Sequence, residues 1–498
     1  MKTKLFTAIF TLAFLMLCFC ACSQETPVTP DNFPWGLSLE CTMSDEELGT
    51  YSYRPQITET MPVIHITTSD SDTSFATMYT REDKLSDSIE YVDAEIAVTD
   101  CEEDHMLTGA EAEVKVRGNY TLEYSKKPLR IKFSEKQNLL GLHNGEKYKN
   151  WVLLADWKDL SMSNNTTAFY LGKTILGSDG YYCTDFRNVE VYINGNYWGV
   201  YLLAEQQEVK DGRMSVPEVE DDYTGTDIGY MFEFDGYYIE ERDMPNGSGD
   251  PTFEVNYVGQ GGSSLQPGYT VKSDINDDAQ LSFIQFFTEN AYKMAYEAVN
   301  FDKHSAFNVS YTDIEPITGT SVKDTVSRFI DLQSLVDIYI LNEICCDPDI
   351  AWSSFYMSLD MTEKGSKKLI FEAPWDFDSA FGIKYNYTNT VGMFAATTDN
   401  PWLRVFANEP WFIEMVKEKW CKLKQADVLE TALSLIEEQQ TVYEDYYRRN
   451  FSKWSERVDY GNHELTDEVN SFKSQGEASD YLSVWLRKRF EYLDERWG

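Results

Sequence analysis

The chain has 498 residues, room for roughly three domains of about 150 residues or one large two-part body. It carries 43 Lys plus Arg against 83 Asp plus Glu, a formal charge of −40 that repels phosphate backbones and anionic headgroups and excludes free electrostatic binding to nucleic acid or a bare membrane. Hydrophobic residues at 42% and aromatics at 14% are too much packing material for a disordered acidic segment.

Lys2 and Lys4 precede an apolar run from Leu5 to Ala21 that closes on Phe19-Cys20-Ala21-Cys22, the layout of a secretory leader over residues 1–22. A small residue directly before the cysteine resembles a bacterial lipobox. That layout predicts lipidation of Cys22 and a mature bacterial lipoprotein held outside the cytoplasm; an ordinary signal peptide is the alternative. No later stretch reaches ~18 uninterrupted apolar residues, so the lipid is the expected membrane contact. Residues 23–60, with Pro27, Pro30, Pro34 and Pro55 among polar neighbours, are expected to tether anchor to body. Past the leader, Cys41, Cys101, Cys183, Cys345, Cys346 and Cys421 show no metal-ligand spacing and fit either disulfides or buried small hydrophobes. The histidines, at 65, 105, 143, 304 and 463, form no HExxH-type constellation, so zinc chemistry is not expected.

Order is expected from Met61, in a β-rich region over residues 61–205. Residues 114–116, 129–133 and 189–193 alternate apolar and polar, the period of a half-buried strand. Asn194-Gly195 joins the last of these to residues 197–203, and two residues that tolerate positive φ between such runs predict a tight hairpin. One helix interrupts the strands: Ala168, Leu171, Gly172, Ile175 and Leu176 recur at helical spacing, with Ser161, Ser163, Asn164 and Asn165 as candidate caps and Gly177 as the stop.

Residues 206–498 are expected to be mostly helical. Residues 210–275, acidic and rich in Gly, Tyr and Asp, read as loops and short strands. Leu332, Leu335, Val336, Tyr339 and Ile340 share one helical face over residues 331–344, and that helix delivers the chain to Asp349. Two short strands are expected at 355–359 and 369–372, the second running into Pro374-Trp375-Asp376-Phe377-Asp378. From Trp402 onward the pattern is helical, with Trp411, Phe412, Met415, Val416 and Trp420 as one face. A β-rich front and an α-rich back predict an α+β fold.

A strand pair between Asp349 and the Asp376/Asp378 cluster can bring these carboxylates to one site. Hard cations such as Mg²⁺ take one or two carboxylates plus nucleotide phosphates, so the arrangement suits phosphoryl transfer. Lys132 sits on the face opposite Leu129, Ile131 and Phe133 of an alternating strand placed before a helix, where kinases hold phosphates; the bland reading is a surface lysine paired with a carboxylate. Arg117-Gly118-Asn119 lies between strands and can approach phosphates, although it is not a GxGxxG loop.

In sum the chain resembles the spore coat protein H (CotH) kinase family, atypical protein kinases with a reduced two-lobed fold. The likeness rests on Val114-Lys115-Val116-Arg117-Gly118-Asn119, Lys126-Lys127-Pro128-Leu129-Arg130-Ile131-Lys132-Phe133, Asn150-Trp151-Val152-Leu153-Leu154-Ala155, the run from Val191 to Gln206, and Asp349 followed by Pro374-Trp375-Asp376-Phe377-Asp378. The resemblance implies ATP with Mg²⁺ or Mn²⁺, Asp349 as the aspartate that accepts the substrate hydroxyl proton, Asp376 or Asp378 as metal ligand, Lys132 on the phosphates, and the segment after Leu203, including Glu205, as a hinge beside the adenine. Two departures stand out. Where relatives place an Asn four or five residues after the aspartate, this chain has Ser353 and Ser354, which leaves Ser354 as a weaker metal ligand. The helix around Ala168 has no acid to pair with Lys132, so Glu190 or Glu205 is the expected partner.

Three functions follow in descending order: a lipid-anchored protein kinase acting on Ser or Thr of a secreted or surface protein, with a basic substrate favoured by the charge; a kinase-like binding or scaffold protein with impaired catalysis, consistent with Ser353 and Ser354; and a two-carboxylate glycoside hydrolase.

Overall fold

The computed structural model describes residues 41–498 except 215, 258–266 and 396. Cys22, the leader and residues 23–40 lie outside the described residues. Seven strands close into a barrel: β1 (Val63–Thr68), β2 (Val92–Thr99), β3 (Leu107–Val116), β4 (Leu129–Gln137), β5 (Tyr148–Leu154), β6 (Phe186–Ile193) and β7 (Asn196–Glu205), in the order β1-β2-β3-β4-β5-β7-β6. Parallel pairing of β1 with β6 completes the ring, while the other neighbours are antiparallel. The alternation decides which side chains fill it: Ile64, Ile66, Val114, Val116, Ile131, Phe133, Val189 and Val191 turn inward and are buried. Asn194 and Gly195 take φ of 51° and 73° at the expected β6–β7 hairpin.

A second sheet has the order β14-β13-β8-β10-β9, from β8 (Gly229–Asp235), β9 (Thr252–Phe253), β10 (Gly268–Val271), β13 (Phe355–Asp360) and β14 (Ile370–Phe371). β11 (Ser305–Phe307) and β12 (Ile314–Pro316) form a separate ribbon. Residues 210–275 supply short strands as expected, and one of them, β8, is buried along its whole length at the centre of this sheet.

Seven described helices have ten or more residues: α1 (Asn164–Ile175), α2 (Asp278–Phe301), α3 (Leu332–Cys345), α4 (Pro410–Gln425), α5 (Val428–Val442), α6 (Glu444–Lys453) and α7 (Gln475–Trp497). α3 starts where Asp331 accepts from the Ser334 amide at 3.0 Å and stops at Cys346, whose φ of 48° turns the chain out of the helix. α6 lies across the outside of β7. Gly199 permits the approach, since a Cβ there would stand 2.6 Å from Asn450 Oδ1, which accepts from the Val200 amide at 3.0 Å. No described helix is long and apolar enough to cross a membrane.

Residues 41–60, expected as tether, are bound to the body instead. Cys41 forms a disulfide with Cys421 of α4, Tyr53 donates to Asp185 at 2.7 Å, and Arg54 meets Glu438 at 2.8 Å. The polar composition of the segment, with Pro55 near its end, concealed these anchors.

Candidate functional site

A cavity of about 680 Å³ opens between the β3–β4 side of the barrel and the second sheet. Arg117, Gly118, Asn119, Asp349, Ser354, Asp376 and Asp378 all line it, so residues far apart in sequence converge. Asp349 sits in a short 3₁₀ turn after α3, and its amide donates to Asp347 Oδ1 at 3.1 Å. The 374–382 segment is pinned at both ends: the Phe377 amide donates to Asn165 Oδ1 at 2.9 Å, and the Phe381 amide donates to the Cys345 carbonyl at 2.8 Å. The end of α3 and the start of α1 therefore set the separation of the acidic residues.

The backbone around the cavity is unusual. Asp156, Ser354, Ala373, Asp376 and Phe381 all take left-handed φ between 46° and 66° without being glycine. Such conformations cost on the order of 1–3 kcal/mol each and persist where the surroundings over-determine them, commonly at functional sites. Gly118, at φ 111°, forms the loop above the acids, and a Cβ there would collide with Thr121 Oγ1. Arg117 projects from this loop with its guanidinium 5.7 Å from the Trp375 ring.

Two lysines stand among the carboxylates. Lys158 Nζ lies 2.7 Å from Asp378 Oδ1 and 3.8 Å from Asp349 Oδ2, and donates to Ser379 Oγ at 2.5 Å. Lys384 Nζ lies 2.6 Å from Asp349 Oδ1. Against the effect of burial, these cations hold Asp349 below the usual carboxylate range and ionised. Asp376, met by Ser354 Oγ at 3.5 Å, is pushed up to about 7 by burial and then by the neighbouring Asp378 charge. Burial likewise lifts Asp156 to about 7. Asp156 Oδ1 accepts from Asn165 Nδ2 at 2.7 Å, while its Oδ2 is buried without a hydrogen-bond partner. The pocket is short of positive charge.

No group of three carboxylate, His or Cys side chains among the described residues is already close enough to hold a metal ion. The donor chemistry nevertheless fits a hard divalent cation bound through one or two carboxylates and phosphate oxygens. Buried carboxylates with raised pKa and one orphaned oxygen gain from added positive charge.

Lys132 and Glu205 do not join this site. Lys132 stands outside the cavity with its side chain 48% exposed, 3.3 Å from Glu113, which is its partner in place of Glu190 or Glu205. The face was read correctly but the position along the strand was not. Arg130, two residues earlier on the same face and about 6.7 Å along the strand, is the β4 residue that reaches the pocket. Glu205 is fully buried in an ion cluster, 3.3 Å from Arg213 and 3.1 Å from His143, and Glu190 pairs with Arg449. The residues after β7 that line the cavity are Gln206 and Gln207.

Lys158, Lys384 and Asp156 were not anticipated from sequence. Asp156 and Lys158, charged residues directly after the apolar run of β5, offered only a weak signal, since charged side chains commonly follow a strand into a solvated loop. Arg457 holds that turn, donating to the carbonyls of Trp157 at 3.1 Å and Lys158 at 2.8 Å. Lys384, in an irregular segment, had no signal.

An α+β chain with a barrel, a second sheet and a lysine-bridged carboxylate pocket is the class defined so far. A family model described as CotH kinase protein matches residues 114–493, and the chain belongs to that family. No curated protein matches it significantly.

Proposed function

We propose that this chain is an extracytoplasmic, lipid-anchored protein kinase with a two-lobed kinase-like build, moving the γ-phosphate of ATP to Ser or Thr of a secreted or surface protein. The observation that carries the reading is the convergence of Asp349, Asp376, Asp378 and Lys158 in one cavity beneath Arg117-Gly118-Asn119. In this reading Asp349 takes the proton of the substrate hydroxyl. Asp376, less committed than Asp378, is the first cation ligand, and Asp156 lines the same cavity. Arg117 and Arg130 bind phosphate oxygens, and Lys158 keeps the acidic floor in place. When bound, the nucleotide supplies the phosphoryl group and the divalent cation neutralises its charge. The leader ending at Cys22 supports export and anchoring, and the Cys41–Cys421 disulfide suits an oxidising compartment.

The test is incubation of the purified protein with γ-labelled ATP and Mg²⁺ or Mn²⁺. Label should reach the protein or a basic Ser/Thr peptide with the wild type and not with Asp349→Asn at equal thermal stability. No transfer together with no nucleotide affinity would refute the proposal. A second reading, a kinase-like binding protein, draws on Ser354 standing where an amide ligand is expected; nucleotide binding without transfer is its signature.

A further inference from the structure

We propose that Lys384 is a two-position cation: it covers Asp349 in the free protein and moves to the terminal phosphate of a bound nucleotide, uncovering the base for the substrate hydroxyl. The inference rests on the phosphoryl-transfer reading above and adds a residue and an order of events to it.

The two lysines on Asp349 are held differently. Lys158 is 8% exposed and fixed by Asp378 at 2.7 Å and Ser379 Oγ at 2.5 Å, so it cannot leave without stranding a buried carboxylate. Lys384 is 23% exposed, and its other anion, Glu464, is 4.0 Å away. Among the described residues its one polar contact within hydrogen-bond distance is Asp349 Oδ1 at 2.6 Å. An ammonium at that distance occupies one lone pair of Oδ1 and crowds the approach of a hydroxyl there, while Lys158 stands 3.8 Å from Oδ2, beyond hydrogen-bond reach. A cation thus flanks each oxygen of the base, and of the two lysines only Lys384 is in hydrogen-bond contact with it.

The backbone of Lys384 is anchored, because it bridges to Leu465. Movement is therefore confined to the flexible four-carbon stem. Lys384 and Arg117 line the same cavity, so a phosphate held by Arg117 lies among groups facing the same space. A phosphate with nearly two negative charges and several acceptor oxygens competes with a single carboxylate for an ammonium. Charge delivered to the pocket thereby releases the base only when there is a phosphoryl group to transfer.

Zero-length carbodiimide cross-linking of the full-length protein tests this without relying on turnover. Mass spectrometry should find an Asp349–Lys384 isopeptide in the free protein, absent from Lys384→Met. With Mg²⁺ and a non-hydrolysable ATP analogue it should fall to the Lys384→Met background. Analogue binding is measured on the same sample. An unchanged cross-link with analogue bound, or none in the free protein, overturns the two-position role. Failure of the analogue to bind overturns the phosphoryl-transfer reading itself, and this inference with it. In the kinetic arm, Lys384→Met should lower kcat by about 10²-fold, the scale of removing one preorganised charge at a developing anion. The Asp349→Asn variant fixes the floor, and Lys384→Arg should recover most of the loss at similar KM. An unaltered kcat in Lys384→Met also overturns it.

Discussion

Lys158 Nζ lies 2.7 Å from Asp378 Oδ1, with both side chains 8% exposed, at the centre of a pocket where carboxylates outnumber ammonium groups. The excess gives the first prediction. Mn²⁺ or Mg²⁺ should raise the thermal midpoint, by the equivalent of about 2.7 kcal/mol at a hundredfold excess over Kd. Asp376→Asn should abolish that gain. The same variant should leave the metal-free protein at least as stable as wild type near pH 8, because it removes a carboxyl that burial holds at about 7. Thermal unfolding with and without metal measures both, and a metal shift that survives in Asp376→Asn would count against this ligand.

Acid stability offers a second measurement, remote from the pocket. The buried Arg187 guanidinium grips Glu102 through two hydrogen bonds of 3.0 and 2.9 Å, and this lowers the Glu102 pKa from an ordinary 4.5 to about 2. A depressed folded-state value means that the stabilisation is present in full above pH ~4.5 and is lost as pH falls towards ~2. Glu102 is 43% exposed, so solvent screening keeps the gain modest. Urea unfolding across that window should show a shallower pH dependence for Glu102→Gln than for wild type.

What the sequence disclosed and what it hid divide along physical lines. Barrel strands with one inward face declare themselves by alternation, as Leu129, Ile131 and Phe133 do, and Asn194-Gly195 sets its hairpin locally. Asp349, Asp376 and Asp378 were legible because the strand pair between them constrains where they meet. Lys132 was misplaced because alternation fixes the face of a strand but not which residue comes level with a cavity formed elsewhere. β8 reads poorly because burial on both faces erases the period. Lys384 and the Cys41–Cys421 pair depend on long-range packing, which leaves no local pattern.

The loop at Gly118 should be intolerant of a single methyl group. Gly118 has φ 111°, and a Cβ there meets Thr121 Oγ1, so Gly118→Ala combines backbone strain with a collision. Its stability cost should exceed about 1 kcal/mol. If the loop holds phosphates, the nucleotide Kd should rise as well. Thr121→Ala in the Gly118→Ala background relieves the collision but not the strain, so recovery should be partial. Full recovery would show that conformation at 118 is unimportant.

Glu343 and Arg489, both fully buried, pair at 2.7 Å, and Glu343 also accepts from the Phe394 and Ala395 amides at 2.7 and 2.8 Å. This joins α3, which leads to Asp349, to α7 and to the segment following Lys384. Glu343→Ala leaves a buried guanidinium without its counter-ion and should destabilise by about 3–5 kcal/mol. Chemical denaturation gives the magnitude. A cost below about 1 kcal/mol would mean that the cluster relaxes to admit water.

Cys41 and Cys421 close a loop with a sequence separation of 380, tying the segment before the barrel to α4. Restricting so long a loop lowers the entropy of the unfolded chain, and losing a native disulfide typically costs about 2–5 kcal/mol. Cys421→Ser should therefore lower the denaturation midpoint. It should leave nucleotide affinity unaltered, because neither cysteine lines the cavity and the Tyr53–Asp185 and Arg54–Glu438 contacts still hold residues 53 and 54. Proteolysis locates the effect. If cleavage in the variant begins between residues 41 and 52 while the barrel resists, the disulfide acts locally as well as through the unfolded state. If cleavage begins throughout the chain and nucleotide affinity falls in parallel, α4 and the pocket are coupled more tightly than these contacts imply.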